Sequence, residues 1–571
     1  MQLQFAYRGQ SAMLGDAHRS ELRLLPNLAR EPVAFDAGFQ GPRSAIRFRE
    51  AISALHDVVI NDLRFKPRDK TAYEEWLKSE KQRESEFRAH AYKQATQEII
   101  ARQAEVPLDL MERFESCRST YWKARQSYSD YLYKHDQELW RLLMPCDPIV
   151  TVADDVLFFE CFSADESSYG CLTVNRGTFG SSTSERRGTT NVDYSWSLYN
   201  HFQQLRSYRE SRFKIDPEGF EVAVAGGGDH REEKIDLPPG WLRGLMQVQA
   251  AMTMPMRRVR LTREAMYSLL AWIKRHKART SPRALRFDLT SAERPRLVVE
   301  PWEQEIPSHG MTYAGPPGDP IRIWGTRRLL SLARLLPLVD WVDVYLLGSG
   351  MPSFWVAQMG EMRLTLGLSG WTANDWTRGA ALDLLAPPVK LSPGLVTGVA
   401  STLQTKRTAA LADPSLRGVA SQAECAAALN HLARAGQVIY DLDAGVYRWR
   451  QIMPSAVGEA DLGPESVELV GSRQLVRDRK IYVAAQQQLA DGGKLLKGSS
   501  EETGDVELEL ELDADGRMKR AKCACSHFRK GGLRMGPCRH LLALRDAAEG
   551  RDEMRASLDE WFRRWQKWST N

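Results

Sequence analysis

Four residues near the end of the chain have the types and the spacing of a metal site: Cys523, Cys525, Cys538 and His540. Thiolates and imidazole nitrogens are the ligands that Zn²⁺ prefers, and three Cys with one His complete its tetrahedral coordination. No position is left open for a water molecule, so this ligand set predicts one structural zinc ion rather than a catalytic one. His527, two residues after Cys525, is left open as a substitute ligand.

The residues around these ligands predict the elements that hold them. Apolar and acidic side chains alternate over 506–512, which is typical of a half-buried strand. Asp515-Gly516 predicts a hairpin turn, and 517–522 predicts the returning strand. Side chains alternate along a strand, so the first two cysteines project to one side. The last two ligands precede a predicted helix that begins near Leu541, and removal of the metal is expected to unfold a hairpin with little core of its own.

Charge is distributed unevenly around this site, although the whole chain has a formal net charge of only +5. Residues 501–515 contain eight acidic side chains and no basic one, whereas residues 517–545 contain nine Lys and Arg and no acidic one. A cluster of cations of this kind can contact the phosphates of nucleic acid. The candidate nucleic-acid-binding residues are Lys519, Arg520, Lys522, Arg529, Lys530, Arg534 and Arg539.

The spacing Cys-x-Cys, twelve residues, Cys-x-His, after a hairpin and before a helix, resembles the SWIM-type zinc finger. That resemblance implies a DNA-binding or protein-interaction module. Segments 336–348, 352–356 and 366–371 look like a broader group of bacterial SWIM-finger proteins. The group is similar in organisation to components of operons that pair a MoxR-type AAA+ ATPase with a von Willebrand A protein. The wider resemblance implies partner proteins of these two kinds and supplies no catalytic residue.

The length of 571 residues predicts several domains, because single hydrophobic cores stop growing well below this size. We expect an α+β multidomain chain with a helical hairpin, a β-rich N-terminal region, a winged-helix-like module and a C-terminal zinc finger of ββ-α type. The predicted segments are 1–147 for an N-terminal region with the long hairpin, 148–300 for a β-rich α+β domain, 301–392 for an α/β region with a Trp-rich segment, 401–452 for the winged-helix-like module, 464–548 for the SWIM-type finger domain and 549–571 for an amphipathic tail helix.

The module 401–452 is the clearest pattern outside the finger. A capping-box signature predicts a helix over 422–435, and two β-type runs, 438–442 and 446–450, flank a short turn. Helix, helix and two-stranded ribbon is the order of a winged helix, which can place a helix in the major groove and the ribbon on phosphates. Whether the module contacts DNA or packs against protein stays open. The ribbon offers Arg448 and Arg450 as phosphate contacts.

The aromatic segments and the remaining cysteines give weaker predictions of function than the metal ligands do. Trp371 and Trp376 can form a recognition surface or anchor an irregular segment, and the Trp-rich tail helix can dock on this chain or on a partner. The other cysteines are expected to be inert core residues: Cys117, Cys146, Cys161, Cys171 and Cys425.

Motifs that would indicate an enzyme are missing from the sequence. It contains no phosphate loop, nucleophile elbow, His-Glu-x-x-His helix or dinucleotide fingerprint in a fitting context. The first residues lack a signal-peptide pattern, and charges interrupt the most apolar stretch, 329–348. We therefore expect a cytoplasmic, non-enzymatic protein without a membrane segment.

Two functional hypotheses follow from these observations, with an enzyme whose site escapes motif reading as a third. In the first, the finger and its basic surface bind nucleic acid. In the second, the chain is a scaffold or adaptor subunit for the ATPase and the von Willebrand A protein that the wider resemblance implies.

Overall fold

The computed structural model describes residues 5–7, 12–15, 19–24, 33–41, 43–60, 109, 113, 116–117, 120, 131, 148–182, 184–192, 202–203, 205–208, 210–215, 232–234, 239–278, 280, 283–370, 375–376, 382–385, 391–419, 422–452, 466–490, 492–513 and 516–550. The chain divides into two compact units, one of residues 1–61 with 146–571 and one of residues 62–145. Nearly all of the predicted helical hairpin, Trp371 and tail residues 551–571 lie outside the described residues.

The described strands are short, and most of them pair with antiparallel neighbours. Their bounds are β1 Phe5–Tyr7, β2 Ala12–Gly15, β3 Arg19–Leu24, β4 Ala34–Gly38, β5 Ile149–Val152, β6 Val156–Phe162, β7 Ser168–Asn175, β8 Ser184–Arg186, β9 Gly188–Asn191, β10 Glu210–Ile215, β11 Glu232–Lys234, β12 Arg257–Thr262, β13 Leu285–Asp288, β14 Arg296–Val299, β15 Gln304–Pro307, β16 Ile321–Ile323, β17 Trp341–Leu346, β18 Ser353–Met359, β19 Met362–Leu368, β20 Thr408–Ala410, β21 Val438–Asp441, β22 Val446–Trp449, β23 Ile481–Gln488, β24 Lys494–Ser500, β25 Gly504–Leu512 and β26 Met518–Lys522.

Helices are distributed between these strands along the chain. The α-helices are α1 Ser44–Val59, α2 Pro239–Met252, α3 Arg263–Arg275, α4 Pro393–Lys406, α5 Pro414–Arg417, α6 Gln422–Arg434, α7 Val467–Arg477, α8 Ser526–Gly531 and α9, residues 539–550. The 3-10 helices are Arg176–Thr178, Thr326–Leu335, Leu382–Leu385 and Gly532–Met535. Among the described helices, none combines the length and the apolar character that crossing a bilayer requires.

A central antiparallel sheet of eight strands organises the larger unit. Its order is β12-β17-β18-β19-β7-β6-β5-β9. The strands come from either side of residue 300, the predicted boundary between two domains. Pairing of β7 with β19 joins the two parts of the chain through seven residue pairs, from Ser168–Leu368 to Val174–Met362.

Alternation of side chains gives this sheet two buried faces. Leu157 and Phe159 on β6 point into a first core that also contains α1, α3 and the 3-10 helix Thr326–Leu335. Phe158 and Phe162 on the same strand point into a second core on the other face. Each such side chain stabilises the fold by about 1.5–3 kcal/mol when it is fully buried. Both faces of the sheet are therefore covered, which explains why the sequences of its strands are continuous apolar runs.

Residues 393–449 form a small module with a third core of its own. Helices α4, α5 and α6 surround a three-stranded sheet of order β20-β22-β21. Proline at the first turn of α4 and the Ser392 side chain, which accepts a hydrogen bond from the backbone of Leu395, fix where that helix begins. The structured part of the predicted ribbon is slightly shorter than expected, with strands of four residues each.

The segment predicted to be the finger domain contains a four-stranded sheet of order β23-β24-β25-β26, with α7 before it and α8 and α9 after it. Three leucines of β25, Leu508, Leu510 and Leu512, point inward as the alternating pattern predicts. They belong to the second core, together with side chains of α2 and of the central sheet. The expectation of a hairpin with little core of its own is therefore wrong, because the hairpin contributes to a large shared core.

Candidate metal centre

Two short connections bring the four predicted ligands together. Strand β26 ends directly before Cys523, and Cys525 caps the N-terminus of α8, where its Sγ accepts from the backbone N–H of Phe528 at 3.4 Å. The chain returns through a 3-10 helix to Cys538 and to His540 in the first turn of α9. One ligand atom from each of the four residues lies within 4.8 Å of the other three. The cluster can therefore bind one metal ion.

His540 is oriented by a carboxylate on the side away from the thiols. Its Nδ1 lies 3.7 Å from the Sγ of Cys523, and its Nε2 lies 3.0 Å from Oε2 of Glu502. Burial lowers the pKa of His540, but the Cys523 sulfur and the Glu502 carboxylate together raise it above the usual value. A carboxylate behind the imidazole is the usual way in which proteins fix the ring of a metal-binding His. This contact assigns Nδ1 to the metal side of the ring.

The three thiols perturb one another strongly. A hydrogen bond from Cys538 lowers the pKa of Cys523 to about 4. That thiolate, with burial, raises the pKa of Cys538 far above the usual value, and burial raises that of Cys525. Without a cation only one of the three sulfurs therefore ionises readily. A bound divalent ion removes this conflict, since thiolates are the form that binds metal.

His527 lies outside the cluster. Its Nε2 lies 3.4 Å from the carbonyl oxygen of Gly536, and its Nδ1 lies 3.7 Å from Oε1 of Glu468. The same Glu468 accepts the backbone N–H of Arg539 at 2.7 Å and lies 3.5 Å from its guanidinium Nε. Glu468 thus connects the N-terminus of α7 to both sides of the metal loop. His527 braces this loop rather than substituting for a ligand.

Sequence reasoning missed both glutamates that support the site. Glu502 lies 38 residues before His540 and Glu468 lies 71 residues before Arg539. A single sequence contains no signal that would single out either residue among the many acidic side chains nearby. Only the folding of α7 and of the turn between β24 and β25 brings them to the site.

The predicted basic residues of β26 lie beside the acidic strand β25. Lys519 pairs with Glu511 at 3.2 Å, and Lys522 pairs with Glu509 at 3.3 Å. These pairs form because the two strands are antiparallel neighbours, so the acidic and basic segments of the sequence face each other. Their charges are largely balanced within the sheet. Arg520 pairs with Asp319 at 3.1 Å.

The other predicted basic residues differ in their surroundings. Arg539 pairs with Glu468 as described above, and Arg534 donates from Nε to the carbonyl of Gly531 at 2.9 Å. Arg529 and Lys530 are exposed in the last turn of α8, and neither forms an ion pair within the described part of the chain. These two side chains are the exposed cations of the metal loop.

The ribbon arginines of the module are buried. Arg450 Nη1 donates to Oε2 of Glu160 at 2.6 Å, and both side chains are completely buried. Arg448 donates to Asp155 and Asp441. The expectation that the ribbon offers these arginines to DNA phosphates is therefore wrong, because they fasten the ribbon to the central sheet.

The other cysteines lie apart from the metal cluster. Cys161, Cys171 and Cys425 are buried, as expected for core residues. Cys117 is exposed, so the expectation of a core position is wrong for it. Cys146 lies outside the described residues.

Comparison with known proteins leaves the family of the chain open. No protein-family model and no curated protein matches the sequence. Matching solved structures include the proliferating cellular nuclear antigen of Entamoeba histolytica, with a TM-score of 0.30 and 9% identity over 59% of this chain and 99% of that one. The antigen of Thermococcus kodakaraensis matches with a TM-score of 0.26 and 12% identity over 39% and 90% of the two chains. TM-scores of this size do not establish a common fold.

Proposed function

We propose that Cys523, Cys525, Cys538 and His540 hold one structural Zn²⁺ in a finger of the SWIM type. The convergence of three sulfurs and one imidazole nitrogen within 4.8 Å of one another supports this assignment. The set fills a tetrahedral shell, and the pairing of His540 with Glu502 matches the support of a zinc-bound imidazole. Zinc would keep all three sulfurs ionised and join the end of β26 to the start of α9.

We also propose that residues 393–449 form a winged helix used for packing. The order of helix, strand, two helices and two strands supports this, as does the position of β22 between β20 and β21. Arg448 of its ribbon and Arg450, which directly follows the ribbon, are only 4% and 1% exposed. A ribbon fastened in this way is unsuited to phosphates, so the module acts as a rigid part of the chain.

The function that the geometry supports best is that of a non-enzymatic binding protein whose finger contacts nucleic acid through Arg529 and Lys530. Both cations are exposed on α8 beside the metal ligand Cys525. A phosphate that meets them need not displace a carboxylate, whereas one that meets Lys519 or Lys522 must displace Glu511 or Glu509. Phosphate contacts of this kind give affinity without base specificity.

Two matched double variants test this proposal, because each removes two positive charges from the finger. In Arg529→Ala/Lys530→Ala, DNA binding should weaken, and the slope of log affinity against log salt should become shallower by about 2. In Lys519→Ala/Lys522→Ala both should change little. Fluorescence anisotropy with a DNA duplex at several salt concentrations measures both quantities. The proposal fails if the wild-type chain does not bind nucleic acid at low salt, or if the two variants behave alike.

A scaffold role is the second candidate, and an exposed apolar pair favours it. Val467 and Val470 lie three residues apart on α7, so they share one face, and they are 73% and 50% exposed. A pair of exposed apolar side chains on one face can contribute to a protein-binding surface when a larger apolar patch includes it. The partners that the sequence resemblance implies are an AAA+ ATPase and a von Willebrand A protein. A complex that survives high salt and is lost in Val467→Ser/Val470→Ser would support this role over nucleic-acid binding.

A further inference from the structure

A cavity of about 270 Å³ lies between one edge of the central sheet and the module 393–449. The hydroxyls of two of its threonines, on β5 and β9, lie 3.1 Å apart. None of the four metal-cluster residues lines the cavity. The side chains that give it its chemistry are Thr151, Arg187, Thr189, Arg407, Trp449 and Arg450.

Arg450 has hydrogen-bonding capacity that the protein does not use. Its Nη1 donates to Glu160, whose other oxygen accepts from the hydroxyl of Tyr169 at 2.7 Å. The Nε and Nη2 groups of Arg450 are buried and have no hydrogen-bond partner within the described structure. Buried donors of a charged group are costly to leave unpaired. Arg450 is among the residues that line the adjoining cavity, so an acceptor that reaches these donors from there would satisfy them.

The cavity wall carries more positive than negative charge. Arg187 pairs with Asp154, the one carboxylate among the lining residues, and also with Glu185. Arg407 is exposed and forms no ion pair in the part of the chain that the structure describes. Arg450 is the third arginine of the lining, and its guanidinium is buried behind the wall. Guanidinium groups bind carboxylates and phosphates through paired hydrogen bonds, so this wall favours an oxyanion.

The backbone of Arg407 is strained at the cavity wall. Its φ of +68° lies in the left-handed region, which is free for Gly and unfavourable for Arg. The residue follows α4, and its carbonyl accepts the backbone N–H of Trp449 at 2.8 Å, which holds this conformation. Backbone strain of this kind is common at binding sites, where the strained conformation holds a side chain in the position that contacts the ligand.

We propose that this cavity binds a small oxyanion, a phosphate or carboxylate compound no larger than a mononucleotide, with the exposed Arg407 as its cationic contact and the buried Arg450 as a supporting charge behind the wall. The volume lies just below the range of pockets for drug-sized ligands, which sets the upper limit on size. Trp449 offers an aromatic surface for a planar group on the same molecule. The site is independent of the metal cluster and of nucleic-acid binding by the finger.

Isothermal titration of the full chain with inorganic phosphate, adenosine monophosphate and citrate tests this site. At least one of the three should bind, and the pattern separates a phosphate from a carboxylate ligand. Arg407→Gly should weaken binding by about tenfold or more, since a charge-assisted hydrogen bond is lost. Its melting temperature should change little, because glycine relieves the left-handed backbone while it adds freedom to the unfolded chain.

Arg434→Ala serves as the matched control, since Arg434 is an exposed arginine on α6 of the same module and does not line the cavity. It should bind as the wild type does. The proposal is overturned if none of the three compounds binds when its concentration is raised to about 10 mM, which would detect even a dissociation constant in the millimolar range. It is also overturned if Arg407→Gly binds with unchanged affinity, or if Arg434→Ala loses as much.

Discussion

The metal cluster and the ion pairs around the ribbon β21–β22 each hold a small β element in place with buried polar groups. They do so in opposite ways. In the metal cluster, the four ligands lie within 18 residues of sequence, from Cys523 to His540, and sulfurs of like charge converge. In the ion pairs around the ribbon, most partners are 78 to 293 residues apart, Arg448 and Asp441 are 7 apart, and opposite charges cancel. The network consists of Asp155, Glu160, Arg363, Asp441, Arg448 and Arg450.

The difference shows how each anchor depends on its surroundings. Converging thiolates need a cation from solution, so the finger should respond to chelators and to acid. The network contains both signs of charge and needs no cation from solution, but removing one partner of a completely buried pair is costly. The metal cluster therefore stabilises the fold only when metal is bound, whereas the ion pairs do so without metal.

The largest effect is expected at the metal cluster. Cys538→Ser replaces a fully buried ligand, so the chain should retain little zinc and lose about 5 kcal/mol or more of stability at saturating zinc. Metal analysis of the purified protein and thermal unfolding with added zinc measure the two effects. Cys117→Ser, at an exposed cysteine, is the control. A full complement of zinc in Cys538→Ser would remove the basis of the comparison.

The second effect is expected in the ion-pair network. Arg450→Met leaves the Glu160 carboxylate buried without its cation, which should destabilise the fold by about 3–5 kcal/mol. Adding Glu160→Gln should restore part of this loss, because the orphaned charge is gone. Denaturant unfolding measures both variants. Arg520→Ala is the matched control: it breaks the exposed pair with Asp319, and a change of less than about 1 kcal/mol is expected. Equal losses in the two arginine variants would contradict this interpretation.

The smallest effect concerns pH. It distinguishes acid sensitivity that comes from the metal cluster from acid sensitivity that comes from a histidine in the first core. His56 on α1 is 4% exposed, and burial, with the nearby Arg334 charge, lowers its pKa to about 4. Between pH 6.5 and 4 the unfolded chain therefore takes up a proton that the folded chain does not, and stability falls as the pH falls. The expected loss between pH 7.5 and pH 5 is about 2 kcal/mol.

His56→Asn removes this titration, so its stability should fall less between pH 7.5 and pH 5 than that of the wild type. Denaturant unfolding with chelator present in every sample keeps the metal out of the measurement. If the two proteins lose the same stability, the acid sensitivity comes from other groups and His56 is not responsible.

The strands and the ligand cluster of the predicted finger could be inferred from the sequence, because the signals that indicate them are local. The alternation over 506–512 predicts β25, and the structure confirms it with bounds of Gly504–Leu512. The predicted return over 517–522 is confirmed as Met518–Lys522. Period-two burial and the turn chemistry of Asp515-Gly516 act over a few residues, so a single sequence contains them.

The parts that were not predictable depend on contacts between distant segments. The cations of β26 form a basic run in the sequence, but pairing with β25 places Glu509 and Glu511 beside them. The ribbon arginines looked like surface residues because their partners Glu160 and Asp155 lie about 290 residues earlier. The central sheet joins strands from 149–191 to strands from 257–368, and no local pattern indicates this pairing.

The shared core of β25 and α2 has a consequence for the fate of the chain in a cell. A metal that binds only the folded finger stabilises everything that unfolds together with it. Because the finger leucines pack with α2 and with the central sheet, that protection extends well beyond the metal loop. Loss of a bound metal would therefore expose far more of the chain to proteases than the metal loop alone.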